Sequence, residues 1–72
     1  MIHTMQVLDV TGHTEVKWNP NIKEEVDVAK ATFKAMTKKG YRAFEAGDNG
    51  GQMDDFDPKI GRIILLPQLV GG

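Results

Sequence analysis

Five apolar residues set the terms for this chain. Ile22, Val26, Ala29, Phe33 and Met36 follow one another at spacings of four, three, four and three residues. That rhythm stacks them on one face of an α-helix. Lys23, Asp27, Lys30 and Lys34 fall on other faces. The spacing predicts a helix between Asn19 and Lys39. Its start is marked twice, by Asn19 as a cap with Pro20 in the first helical position, or by Asn21 with Glu24 three residues on. Glu24, Glu25 and Asp27 suit the positive end of the helix dipole, and Lys34, Lys38 and Lys39 the negative end. Gly40 accepts the left-handed conformation that ends helices.

Such a stripe needs an apolar surface to cover it, and the flanking segments read as strands. Met5 to Val10 is one. Thr14 to Trp18 is a second, with Val16 and Trp18 inward and Glu15 and Lys17 outward, joined to the first by a short Thr11-Gly12-His13 connection. After the helix, Tyr41 to Ala46 reads as a strand anchored by Phe44. Ile63, Ile64, Leu65 and Leu66 form an unbroken apolar run within Arg62 to Leu66, too short for a helix and expected as a strand buried on both faces. Between these lies a glycine-rich and acidic loop, 47–61, with Met53, Phe56 and Ile60 as pins to the body. The sum is one α+β domain over residues 1–72, a small mixed sheet of about four strands in ββαββ order with one helix packed across it. The last strand is expected in the middle, beside the first, a β-grasp-like arrangement. The same element order also admits another α+β layer.

Composition removes several classes of function. A chain of 72 residues has room for one small domain. It has no cysteine and no serine, which excludes disulfides, thiolate metal sites, thiol catalysis and serine triads. Nine basic residues oppose ten acidic ones, for a formal net charge of -1. That balance argues against a nucleic-acid binder. No stretch approaches a membrane span and the start lacks a signal peptide's pattern, so a cytoplasmic protein is expected. His3 and His13 read as surface or turn residues. Asp48, Asp54, Asp55 and Asp57 lack the ligand spacing of a calcium loop and read as a solvated segment, with Phe56-Asp57-Pro58 as a packed corner. Trp18 reads as a structural residue. Lys34, Lys38, Lys39 and Arg42 read as a helix-end cluster that offsets the dipole. No catalytic residue, metal site or cofactor is expected.

Some segments carry a resemblance. MQVLDVTGHTEVKWNP resembles the opening hairpin of ubiquitin, with its Met-Gln start, Thr-Gly-x-Thr turn and proline before the helix. RAFEAG resembles the strand and turn that follow ubiquitin's helix. IILLPQLVGG resembles the last strand and diglycine tail of ubiquitin-like modifiers, and its LPQLVGG also resembles the tails of the sulfur-carrier branch. The chain departs from the pattern in three places. No arginines precede the two glycines, MIHT extends past the usual start, and 47–61 does not match the family's second short helix.

The resemblance implies a non-enzymatic modifier or sulfur carrier with residues 67–72 as its tail. Gly71 and Gly72, lacking Cβ atoms, would thread the narrow channel of an adenylating enzyme. Gly72 would supply the carboxylate, activated as an acyl-adenylate and passed on as a thioester or thiocarboxylate. Pro67 would stiffen the exit from the sheet, and Leu69 and Val70 would touch the partner. The implied partners are that activating enzyme and an acceptor protein or sulfur donor. The alternative is a small structural or interaction protein, such as an accessory protein of tailed-virus particles. Its sheet edge and Leu69-Val70 would then dock on a larger assembly.

Overall fold

The structure is a computed structural model and describes residues 2–9, 12–47 and 50–67. One helix packs on a mixed five-stranded sheet. The elements run β1 (His3–Asp9), β2 (Gly12–Trp18), α1 (Lys23–Lys38), β3 (Arg42–Glu45), β4 (Gln52–Met53) and β5 (Arg62–Leu66). Across the sheet the order is β2-β1-β5-β3-β4. The pairings β1–β2, β3–β5 and β3–β4 are antiparallel, and β1–β5 is parallel. These directions make β2 and β3 parallel to each other, so α1 is the crossover that joins them. The gap it leaves between them is filled by β1 and β5.

The sheet therefore has one strand more than expected. The addition is β4, a two-residue strand within the glycine-rich loop, where Ala43 pairs with Met53 and Phe44 with Gln52. A strand so short leaves no period-two signal to read. Met53, Phe56 and Ile60 do pack against the core from this loop.

The helix begins later than the cap residues suggest. Its N-cap is Ile22, with an extended backbone and no side-chain cap hydrogen bond. Asn19, Pro20 and Asn21 instead form a turn ahead of it. The Asn21 N–H donates to Asn19 Oδ1 at 2.9 Å and the Ile22 N–H to the Asn19 carbonyl at 2.9 Å. Asn19 keeps its own N–H occupied through Glu25 Oε1 at 2.8 Å. The other end follows expectation. The N–H of Tyr41 donates to the Met36 carbonyl and that of Gly40 to the Thr37 carbonyl, with Gly40 at φ 106°. This paired closure satisfies carbonyls that a helix end leaves bare, and positive φ favours glycine.

The core lies between helix and sheet. Met5, Val7, Trp18, Ala43, Ile63 and Leu65 from the sheet meet Ala29 and Phe33 from α1, all buried. Two expectations change here. The inward residue of β3 is Ala43, and Phe44 sits half-buried on the opposite face. β5 is sealed on one side only, since Ile63 and Leu65 are fully buried while Ile64 is half-buried and Leu66 is 39% exposed.

His3 also departs from its surface reading. It is 6% exposed, stands edge-on to the Trp18 ring, and its Nδ1 lies 2.9 Å from the Pro58 carbonyl. A carbonyl only accepts, so Nδ1 carries the proton. Trp18 Nε1 donates to the same oxygen at 3.2 Å. Trp18 and Phe33 each contact Phe56 through their rings. The Phe56-Asp57-Pro58 corner is thus fastened to β1, β2 and α1 together.

Candidate functional site

The tail that carries the implied chemistry starts where β5 ends. β5 is an interior strand, hydrogen-bonded to β1 on one side and β3 on the other. That double pairing holds Leu66 against Arg42 across the β3 ladder. Pro67 follows at once and is half-buried. A proline there has no N–H to continue the ladder and a fixed φ. Leu69, Val70, Gly71 and Gly72 lie outside the described residues. Of the residues assigned to the tail, Pro67 is the one the structure places.

Beside this exit lies the face of the sheet that α1 does not cover. Strand alternation puts Thr4, Gln6 and Leu8 of β1 there, with Arg62, Ile64 and Leu66 of β5 and Arg42 and Phe44 of β3. The ladder registers place Gln6, Ile64, Phe44 and Gln52 in one row across the strands. Ile64 is flanked by Phe44, and Leu66 by Arg42. Apolar side chains therefore gather on β5 and β3, next to the exit.

Toward β2 the same face turns polar. Arg62 Nη2 donates to Gln6 Oε1 at 3.3 Å, Gln6 Nε2 donates to Glu15 Oε2 at 3.4 Å, and Lys17 Nζ lies 3.6 Å from Glu15 Oε1. These contacts are exposed and contribute little stability. They do set the charge pattern, with Arg62 and Lys17 at the two ends of a chain centred on Glu15.

His3 is enclosed by Trp18 and the Pro58 carbonyl, and His13 is exposed on β2. Among the described residues no group of three or more His, Asp or Glu side chains is placed to hold a metal ion. Asp54, Asp55 and Asp57 are exposed, and Asp57 Oδ1 accepts from the Lys59 N–H at 2.9 Å, closing a turn. No described helix is long and apolar enough to cross a membrane.

Sequence reasoning missed the open face. The signal for it was the alternation in β3 and β5, where a small Ala43 between Arg42 and Phe44 marks the side that a helix approaches. Comparison with protein-family models, with curated proteins and with solved structures found no match to this chain.

Proposed function

We propose that this chain is a ubiquitin-like β-grasp protein that acts through the carboxylate of Gly72, as a protein modifier or sulfur carrier. The observation that carries the reading is the place of β5. A last strand set between β1 and β3, parallel to the first, roots the tail in the middle of the sheet. Pro67 then ends the ladder, since it has no N–H to continue it. In this scheme the partner enzyme supplies ATP. A Gly72 carboxylate oxygen attacks the α-phosphorus and displaces pyrophosphate, giving an acyl-adenylate. A partner thiolate or sulfide then attacks the acyl carbon and displaces AMP, leaving a thioester or thiocarboxylate. Gly71 provides the slim backbone that enters the enzyme's channel, and Leu69 and Val70 meet its walls.

The test is mass spectrometry of the chain after incubation with the host's adenylating enzyme and ATP. An adenylate, thioester, thiocarboxylate or lysine adduct at Gly72 is the expected product, and appending one residue after Gly72 should abolish it. No adduct with any adenylating enzyme of the host would sink the reading.

A second reading is a structural or interaction protein that docks on a larger assembly. It is favoured by the uncovered apolar group of Phe44, Ile64 and Leu66 beside the exit. An Ile64→Asp variant separates the two. Loss of assembly with adduct formation intact supports docking, whereas loss of adduct on tail extension supports the carrier.

A further inference from the structure

The two edges of the sheet are built differently. β4 closes one edge with two residues. β2 leaves seven, Gly12–Trp18, along the other. A long edge strand presents unpaired N–H and C=O groups to any strand that can match it.

The phase of those groups follows from one hydrogen bond. The Thr4 N–H donates to the Gly61 carbonyl at 3.0 Å, which turns the backbone groups of Thr4, Gln6 and Leu8 toward β5. His3, Met5, Val7 and Asp9 consequently bond to their β2 partners Trp18, Val16, Thr14 and Gly12. The N–H and C=O groups of His13, Glu15 and Lys17 therefore point away from the sheet. Among the described residues, no backbone hydrogen bond outside the ladders reaches them.

We infer that β2 is a self-association edge, on which two copies of this chain pair antiparallel about a two-fold axis through Val16. The axis stands perpendicular to the sheet, so facing residues share a face and their numbers sum to a constant even value. The charges then choose the register. An axis at Glu15 sets Glu15 against itself, and an axis at Lys17 sets Lys17 against itself, both unfavourable. An axis at Thr14 sets Glu15 against His13 and leaves Lys17 without a carboxylate opposite.

An axis at Val16 sets Glu15 against the second copy's Lys17 and Lys17 against its Glu15. Both pairs lie at positions whose backbone groups point outward, so each exchanges two main-chain hydrogen bonds. On the helix side, Val16 meets Val16. Pairing ends at Asn19, whose N–H is already held by Glu25. The contact is isologous, as a closed dimer requires. It yields one continuous sheet with both helices on one face and both open faces joined on the other. The inference does not depend on Gly72 chemistry.

Sedimentation velocity over a concentration series tests it. The full chain should pass from monomer to dimer as concentration rises. Lys17→Glu and Glu15→Lys each turn two attractive pairs into two repulsive ones. Each should weaken self-association by about tenfold or more. A one-to-one mixture of the two variants should restore it, because every facing pair is then complementary. Glu15→Pro removes an outward N–H that no described backbone group outside the ladders accepts, and should abolish the dimer with the circular dichroism of the fold retained. A wild-type chain that stays monomeric up to its solubility limit overturns the proposal. So does a Lys17→Glu variant that dimerises like wild type, or a mixture that stays monomeric.

Discussion

Met5 and Gln6 are neighbours in β1 with opposite fates. Met5 is fully buried under α1, while Gln6 lies on the far side, bonded to Arg62 and Glu15 at the surface. The same division runs through β5, where Ile63 and Leu65 are buried while Ile64 and Leu66 are not. On the helix side, Met5, Trp18, Ile63 and Leu65 have no exposure, and His3, the one buried polar residue among the described residues, is hydrogen-bonded. On the open side, apolar and charged residues mix and none is fully enclosed. One face holds the fold together, and the other leaves its side chains half-buried or open to solvent. A small domain can sustain that split because net stability of about 3–5 kcal/mol can come from one well-packed layer.

The sharpest way to break the comparison is to put a charge on the sealed face. Leu65→Glu buries an unpaired carboxylate beneath α1, which costs several kcal/mol. Phe33→Ala removes the helix's largest core side chain and its ring contact with Phe56, at about 3–5 kcal/mol. Either cost matches the stability available to a domain of this size. Both variants should be unfolded at 25 °C by far-ultraviolet circular dichroism. A cooperative thermal transition within a few degrees of wild type in either would mean that the core lies elsewhere.

A smaller effect probes how the sealed face is tied to the acidic loop. The Pro58 carbonyl accepts from both His3 and Trp18. His3→Phe and Trp18→Phe each leave it one donor, and should each cost about 0.5–1.5 kcal/mol for the hydrogen bond, with Trp18→Phe adding lost volume. The double variant leaves the oxygen with neither donor. Its cost in urea denaturation should exceed the sum of the singles by about 1 kcal/mol. Simple additivity would show that water takes over the acceptor.

This division was only half legible in the amino-acid order. The helix announced itself because its stripe, acidic first turn and terminal glycine agree with one another, and Gly40 closes it as such a residue should. Its first residue was misplaced because Asn19 has two local uses. Its side chain can cap a helix or close a turn on Asn21, and the turn won. β5 reads as uniformly apolar, which conceals that Ile64 and Leu66 face away from the helix. Phe44 misled for a similar reason, since size suggested an anchor where alternation assigns the open side. His3 and Pro58 are brought together by the parallel pairing of β1 and β5, and no local pattern encodes a contact across 55 positions. For the candidate site, Pro67 is placed at the end of β5, while the uncovered face and the β2 edge follow only once strand order is known.

Phe44 offers a milder test of the open face. It is half-buried and pairs with Ile64 and Gln52 across the ladders. Phe44→Ala should cost about 1–2 kcal/mol, well below the range for a fully buried phenylalanine, because much of the removed surface already meets water. Chemical denaturation with an unchanged m-value is the expected signature. A loss as large as that of Phe33→Ala would place Phe44 in a second core.

The smallest expected effect is also the most discriminating, because it sits one residue from the largest. Leu66 is 39% exposed and faces Arg42 across the ladder. Leu66→Glu exchanges some apolar cover for an exposed pair with Arg42, two terms of opposite sign that are each small. Its stability should stay within about 0.5 kcal/mol of wild type, whereas Leu65→Glu unfolds the chain. Identical chemistry at adjacent positions then reports only which face each residue occupies. A strongly destabilised Leu66→Glu would mean that β5 is sealed on both sides, and the open face would lose its claim to be a contact surface. A stable one leaves a folded protein with a carboxylate at the root of the tail, suited to asking whether a partner reads that surface.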